Sequence, residues 1–408
     1  MPTRLPRLRI FTPLLLLVTA ILVPDAQCAP RYRVLHAFTG GSDGGTLLGS
    51  LLLDIHSNVY GTTYYGGAND GGTAFELIPN AVGEWKLANL YNFCSEYECW
   101  DGNASFAGVI LGDTASLYGT TALGGTDEYG TIFRLTPRGD GTWSETVLHS
   151  FTKDDDGGSP RTSLAIDPSG NLYGAGETWG FELSTGASGW TLKGLHEFTG
   201  EGGDGGGALS AVIRDSLGNL YGVTEQGGDD QRCGGGCGIT YELSPEQDGK
   251  WKETILHTFD VKPGDGAFPT GTLFQDLSRN IYGTTKGNNA GTVYRLSPEK
   301  SGQWRETILH RFTAGKGGND PGTGVVMGKS GELYGVTYAG GDPNCYCGVV
   351  FKLAAVKGKW QYSVLHRFVG SDGANPGASL IIDGKGNLYG TTELGGRGGY
   401  GVAFELTP

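Results

Sequence analysis

Short apolar runs separated by glycine-rich turns recur along the whole chain, and no stretch shows the 3.6-residue periodicity of a helix. One segment, resembling Asn-Leu-Tyr-Gly-Thr-Thr, returns at a spacing of about 55 residues. Its tyrosines are Tyr60, Tyr118, Tyr173, Tyr221, Tyr282, Tyr334 and Tyr389. Repetition at this period indicates one architecture built from seven similar units rather than several unrelated domains.

Other segments keep a fixed order around each tyrosine. A short apolar run precedes it, and a turn of Asp-x-x-Gly-Asn type separates the two, as at 167–171. Downstream follow a segment resembling Thr-Val-Phe-Glu-Leu, a tryptophan in six copies, and a Val-Leu-His-x-Phe segment. We assign the third position of this last segment to His36, Asn92, His149, His196, His257, His310 and His366. Each unit is therefore predicted to form four short β-strands.

Four strands per unit at this period predict an all-β fold, a seven-bladed β-propeller with four antiparallel strands per blade. Solenoid coils of 20–30 residues are too short to match, and an open sheet of so many strands would exceed what strand twist allows. The last unit holds only three strands, so we expect the segment from Tyr32 to Phe38 to supply its outer strand. The N-terminal strand would thus close the ring and hide a sheet edge.

The repeated units resemble the GloVer tandem repeat of exported bacterial proteins, a family also described as choice-of-anchor. Leu-His-x-Phe, Asn-Leu-Tyr-Gly-Thr-Thr and Gly-Thr-Val-Phe-Glu-Leu-Thr-Pro carry the resemblance, which covers about residues 31–408. It implies an exported, surface-associated protein, and it brings no reaction or catalytic residues to this chain.

The first residues have the pattern of an export signal. Arg4, Arg7 and Arg9 precede an apolar run over 11–23 and a small-residue region near 26–29. The sequence predicts a signal peptide over 1–28 and a single propeller domain over 29–408. We expect the protein outside the cytoplasm, in the extracellular space, at the cell surface or in the periplasm, with no integral membrane segment after signal removal.

Charge and cysteine content narrow the partners and the compartment. The formal net charge of -13 disfavours nucleic acid, which needs a basic face to neutralise its phosphates. Six cysteines outside the signal form close pairs, which in an oxidising compartment predict local disulfides rather than metal sites. The pairs are Cys94 with Cys99, Cys233 with Cys237, and Cys345 with Cys347, the last left open because its ring would be very small.

Functional positions are expected where the copies disagree. The in-register histidines recur around the ring, so we assign them to hydrogen bonds that stabilise the blades. The outer-to-inner and second-to-third loops should emerge on one face, and we place the cysteine pairs and several out-of-register aromatic residues there. Such aromatics could stack on sugar rings or grip a peptide. These ligand-binding candidates are Tyr64, Tyr65, Trp100, Tyr129, Trp179, Tyr338 and Tyr346.

No catalytic residue and no cofactor is assigned. Asp-Gly pairs recur in the loops, and turn chemistry explains them. Calcium is the alternative, with Asp154, Asp155 and Asp156 as the best place for it, although no full calcium-loop pattern is present.

These observations favour a non-enzymatic binding or adhesion propeller, which we expect to be a monomer, engaging a glycan or surface protein through its loop-rich face. Two alternatives remain open: a polysaccharide-acting hydrolase or lyase on a propeller scaffold, and a structural protein of the cell envelope. An enzyme would need a close carboxylate or histidine pair with opposed pKa shifts in one pocket.

Overall fold

A computed structural model describes residues 29–408 except 153–155, 188, 209, 229–232, 263–264 and 288–289. The predicted signal peptide lies outside the described residues. Seven four-stranded antiparallel sheets follow one another along the chain. The prediction of a seven-bladed β-propeller is therefore confirmed.

In each blade the inner strand pairs with the second strand, which bears the repeated tyrosine. The inner strands of blades 1 to 7 are Leu52–Leu53, Ile110–Leu111, Ala165–Ile166, Ile213–Arg214, Pro269–Gln275, Val325–Met327 and Ile381–Ile382. The second strands are Val59–Thr62, Leu117–Thr121, Leu172–Ala175, Leu220–Thr224, Ile281–Thr285, Leu333–Thr337 and Leu388–Thr392.

The third strand pairs with the second and carries the outer strand on its other edge. The third strands are Thr73–Pro79, Thr131–Pro137, Trp179–Gly186, Ile239–Pro245, Thr292–Pro298, Val349–Val356 and Val402–Thr407. The outer strands are Trp85–Asn92, Trp143–Ser150, Gly189–Glu197, Trp251–Thr258, Trp304–Arg311, Lys359–Arg367 and Arg31–Ala37. Loops hold the short pair Gly205–Gly206 with Gln226–Gly227 and the 3-10 turns Tyr97–Cys99 and Asp113–Ala115.

The ring closes through the two ends of the described chain. Arg31–Ala37 pairs antiparallel with Val402–Thr407, with Tyr32 opposite Leu406 and Val34 opposite Phe404. The first strand thereby completes the last blade, as the sequence predicted, and covers an otherwise open sheet edge.

The hydrophobic core consists of seven clusters, each formed between two neighbouring sheets. Close packing explains the glycine of the repeated Tyr-Gly motif. A Cβ on Gly119 would lie 2.5 Å from the Phe133 ring of the adjacent strand, closer than any real contact. The motif glycine is therefore required because an aromatic ring lies against its backbone.

A β-bulge interrupts the pairing of third and outer strands in every blade. The extra residue is the leucine of the Leu-His-x-Phe segment; in blade 4, Tyr241 pairs with Ile255 and Thr240 with His257, which leaves Leu256 unpaired. Leu256 is buried. A bulge re-aims the residues beside it, and here the next residue is the repeated histidine.

All three predicted cysteine pairs are disulfides: Cys94–Cys99, Cys233–Cys237 and Cys345–Cys347. The last pair, which the sequence left open, is therefore also bonded. Within the described residues, no helix has the length and apolar character needed to cross a membrane.

Candidate functional site

The repeated histidines bind aspartates in the outer-to-inner loops. The Nε2 atoms of five histidines lie 2.9–3.2 Å from an aspartate carboxylate six to eight residues further along the chain. These His–Asp pairs are His36–Asp43, His149–Asp156, His196–Asp204, His257–Asp265 and His366–Asp372. Each pair ties the end of an outer strand to the loop that leads into the next blade.

Two blades fill this register differently. Tyr91, and not Asn92 as the sequence analysis assigned, pairs opposite Ala74 in the histidine position, because the segment there is Leu-Tyr-Asn-Phe. Its hydroxyl donates to Asp101 Oδ2 at 2.8 Å. His310 instead stacks on Tyr362 with ring centroids 4.2 Å apart, and burial lowers its pKa to about 4.

Glutamates of neighbouring outer strands face three of these positions. Glu253 Oε2 lies 3.8 Å from His196 Nε2, and Glu306 Oε2 lies 3.9 Å from His257 Nε2. Burial and the nearby Asp265 raise the pKa of Glu306 to about 7. Burial, with Asp101 and Glu96 nearby, raises that of Glu145 to about 8.

Two of these groups have the composition of a metal site. The donor atoms of His196, Asp204 and Glu253 lie within 4.8 Å of one another, as do those of His257, Asp265 and Glu306. Both groups repeat the His–Asp pair that other blades form without a glutamate. The pairing of the outer strand with the loop therefore explains why the donor atoms in each group lie close together.

The calcium candidate lies only partly within the described chain. Asp154 and Asp155 fall outside the described residues. Asp156 is buried and accepts hydrogen bonds from His149 Nε2 and from the backbone N–H groups of Thr152 and Gly158. Its carboxylate is thus engaged in a His–Asp pair.

The central channel opens on the loop-rich face. Just before each inner strand one residue adopts a left-handed backbone conformation, and in six copies it is not glycine. These residues are Thr46, Ala104, Ser159, Gly207, Phe268, Asp320 and Asn375. In blade 1 the Thr46 carbonyl accepts the Tyr64 N–H, and in blade 7 the Asn375 carbonyl accepts the Glu393 N–H. The resulting ring of crossed segments surrounds the opening, which we call the mouth.

One side of the mouth is aromatic and cationic. The Tyr64 ring contacts the Phe106 ring edge to face at 4.7 Å between centroids. The Arg161 guanidinium carbon lies 4.8 Å from the centroid of the same Phe106 ring, in a cation–π geometry. Phe106 and Arg161 both line a cavity of about 260 Å³ at the mouth.

The other side of the mouth carries a network of charged and polar groups. Lys286 Nζ lies 2.7 Å from Glu225 Oε1, and the Tyr338 hydroxyl donates to Glu393 Oε2 at 3.0 Å. Burial raises the pKa of Asp320, with Glu225 adding to the effect and Lys286 opposing it. Burial and the Glu393 carboxylate raise the pKa of Tyr338 to about 12. The sevenfold backbone thus bears chemically different groups on its two sides.

Below the mouth the channel becomes apolar. The lining of a second cavity, of about 410 Å³, includes an apolar, half-buried residue from the inner strand of every blade. We call this ring the throat; its residues are Leu52, Ile110, Ala165, Ile213, Phe274, Val326 and Ile381. The channel therefore passes from a polar opening to an aliphatic interior.

The structure brings two of the predicted aromatic residues to the mouth. Tyr64 contacts Phe106, and Tyr338 lines a shallow cavity beside Lys286, Asp320 and Glu393. Tyr65 follows Tyr64 and is 53% exposed. These three therefore lie at or beside the opening.

The remaining candidates lie elsewhere. Trp100, 48% exposed, contacts Tyr97 edge to face in the loop closed by the first disulfide, and Tyr346 is exposed beside the third. Tyr129 packs against the core between blades 2 and 3. Trp179 is not in a loop: it begins a third strand and its ring covers Gly194.

Sequence reasoning missed most of the mouth. Phe106 and Arg161 lie three residues before Val109 and Leu164, the buried residues that directly precede two inner strands, and Glu225, Lys286 and Glu393 follow the tyrosine motif. The signal was present, since both positions change from copy to copy while their neighbours repeat.

Sequence comparison identifies the repeat. A family model described as the Gloeobacter/Verrucomicrobia repeat matches residues 25–188 and 233–408. No curated protein matches the chain.

Solved structures with a similar fold have different functions. One described as a streptogramin B lyase has a TM-score of 0.58 at 12% identity, covering 93% of this chain and 97% of that one. An ancestral GH74 enzyme has a TM-score of 0.57 at 12% identity, over 89% and 48% of the two chains. The extracellular domain of a putative one-component system from B. thetaiotaomicron has a TM-score of 0.54 at 12% identity, over 92% and 39%. At such identity the similarity shows the fold alone.

Proposed function

The chain belongs to the Gloeobacter/Verrucomicrobia repeat family, and from this premise we propose that it is an exported, non-enzymatic binding protein that engages a glycan at the mouth of its propeller channel. The family and fold leave the ligand open, so the proposal depends on the mouth itself.

The observation that carries the proposal is the convergence of three kinds of group on one opening. The Tyr64–Phe106 pair offers an aromatic face, Arg161 a donor, and Glu393 with Tyr338 further acceptors and donors. Sugars present apolar C–H faces beside hydroxyl groups, so they suit a site where aromatic rings and charged hydrogen-bonding groups lie together.

Exposed aromatic residues extend this surface beyond the mouth. Tyr65, Trp100 and Tyr346 are each about half exposed on loops of the same face. An exposed aromatic ring offers a flat apolar face on which a sugar ring can stack. We assign them to the periphery of the binding surface, where a longer glycan or a glycosylated surface protein would reach them.

Export is part of the proposal. Three disulfides support an oxidising compartment, because cytosolic thiols are kept reduced. The apolar run over 11–23 supports removal of residues 1–28 as a signal peptide. The similar fold of an extracellular domain agrees with this assignment.

One observation favours a second candidate, a hydrolase or lyase acting on polysaccharide. Asp320 has a raised pKa and is influenced by both Glu225 and Lys286. A buried carboxyl with a raised pKa is a common feature of acid–base sites. Release of shortened sugars would distinguish this candidate from simple binding.

The test is a glycan array probed with residues 29–408, with released sugars monitored in parallel. We expect retention of one glycan class, loss of at least tenfold in affinity for Tyr64→Ala and Glu393→Gln, and no products. Glu246→Gln, in an exposed turn on the opposite face, is the matched control. Binding that survives both mouth variants would contradict the proposed site, and product formation would favour the enzyme.

A further inference from the structure

The throat residues alternate with the residues that fill the interblade cores. Leu51, Leu164 and Leu380, each directly preceding a throat residue, are buried. The throat residues pack partly against the same cores, as Leu52 and Ile110 do, yet keep surface on the cavity. Packing against the cores therefore covers only part of the surface of the throat residues, and the rest faces the cavity.

A position that faces an open channel tolerates polar side chains. All seven throat residues are nevertheless apolar, and they share the lining of the cavity of about 410 Å³ with Arg214 and with Ser50, Ser163, Thr272 and Ser379. Apolar surface along a channel is favourably removed from water when an apolar ligand covers it. A cavity of this size with a few polar groups at its edge is typical of a small-molecule site.

The throat and the mouth are continuous. Five residues line both the 260 Å³ cavity at the mouth and the throat below it. They are Ser50, Ser163, Ala211, Thr272 and Ser379. A single ligand can therefore occupy both, with polar atoms above this level and apolar atoms below it.

The apolar lining ends toward the opposite face. Arg214 follows Ile213 on the inner strand of blade 4 and also lines the throat. Its guanidinium carbon lies 5.8 Å from the Tyr173 ring centroid. From the serine level to this arginine is about three residues of strand, or about 10 Å. This depth suits a chain of medium length.

We propose that the ligand is amphiphilic: a sugar head held at the mouth and an alkyl or aryl chain inserted into the throat. This inference rests on the proposed function for the head and adds the class of the aglycone. Because an apolar chain gains affinity as it leaves water, each fully buried methylene contributes about a fourfold gain in affinity.

The throat is tested with a neutral apolar fluorophore, N-phenyl-1-naphthylamine, titrated into residues 29–408. We expect saturable binding with one site, displaced by octyl β-D-glucoside below its micelle concentration and not by glucose. Ala165→Trp fills the throat and should weaken binding of the fluorophore by about tenfold or more. Ala81→Trp, at an exposed site on the blade 1 hairpin, is the matched control and should change nothing.

A second variant covers the case in which Ala165→Trp does not fold. Ile381→Thr keeps a β-branched side chain in the strand while making the throat more polar, and should weaken fluorophore binding about threefold or more. Absence of fluorophore binding, or binding unaltered in a folded throat variant, would overturn the inference.

The array separates this inference from the proposed function. A free glycan that binds, with no gain from an added octyl chain, would overturn the aglycone while leaving the function intact. Failure of every glycan, with fluorophore binding that Ala165→Trp abolishes, would remove the sugar head and keep the throat as an apolar site. A higher affinity for the octyl glycoside than for the free glycan, lost in Ala165→Trp, supports both the proposed function and the apolar aglycone.

Discussion

The His–Asp pairs and the channel mouth are built on the same sevenfold backbone and differ in how faithfully their chemistry repeats. Five blades bind an aspartate through histidine and a sixth through Tyr91. At the mouth, the residue after the tyrosine motif is Tyr64 in one blade, Lys286 in another and Glu393 in a third. A group that stabilises a blade is needed in every blade, whereas a group that binds a ligand is needed once.

The difference indicates how a repeat protein acquires a site. The backbone hydrogen bond that fixes the mouth recurs in six blades, as between Tyr64 and Thr46 and between Glu393 and Asn375, while in blade 3 the Glu177 N–H bonds the carbonyls of Gly157 and Gly158 instead. Only side chains change, so variation there costs little stability. Removing a group from a His–Asp pair should instead destabilise the fold and leave binding intact.

The largest effect is expected for Asp156→Ala. This buried carboxylate accepts from His149 and from two backbone N–H groups, so its loss should lower the free energy of unfolding by about 3 kcal/mol. Urea denaturation measures the change. Asp127→Ala, an exposed loop aspartate, should stay within about 0.5 kcal/mol. A loss of glycan binding by folded Asp156→Ala protein would contradict the division of roles.

A smaller effect separates the two out-of-register tryptophans. Trp179 covers Gly194 and is half-buried, so Trp179→Ala should cost about 2 kcal/mol of unfolding free energy. Trp100 projects from its loop, and Trp100→Ala should change stability by less than about 0.5 kcal/mol. Equal melting temperatures for the two variants would show that Trp179 is not a packing residue.

The smallest effect depends on pH. The folded state raises the pKa of Glu145 from 4.5 to about 8, so between these values it holds a proton that the unfolded chain releases. The stability that this group contributes is therefore fully present below pH 4.5 and is lost as the pH rises to about 8. Glu145→Gln should stabilise the protein by about 1 kcal/mol at pH 8.5, after solvent screening, and leave it unchanged at pH 5.

Thermal melts at both pH values test this, with Glu98→Gln, an exposed glutamate, as control. A gain at pH 5 equal to that at pH 8.5 would show that charge on Glu145 is not responsible.

The fold was predictable because seven copies report the same strand pattern. The phase of the repeat was sufficient to pair Arg31–Ala37 with Val402–Thr407. The histidine register was nearly correct, and the misassigned copy shows the limit: in Leu90-Tyr91-Asn92-Phe93 the polar asparagine resembles histidine more than tyrosine does. The strand pairing shows that Tyr91, which lies opposite Ala74, occupies the histidine position.

The candidate site was only partly predictable. Tyr64 and Tyr338 were found because they are aromatic and out of register, but the same criterion selected Trp179. In blade 3 only six residues separate Tyr173 from Gly180, so the loop is short and Trp179 already belongs to the strand. Arg161 and Phe106 were missed because their contact joins two blades, which sequence spacing does not show.

Hydrogen–deuterium exchange of residues 29–408, with and without a glycan identified on the array, tests the central claim most directly. The account predicts slower exchange in the segments that cross at the mouth, at 104–108, 158–162 and 320–324, with the turns of the opposite face unchanged. Protection confined to those turns, such as 167–171 and 383–387, would contradict it.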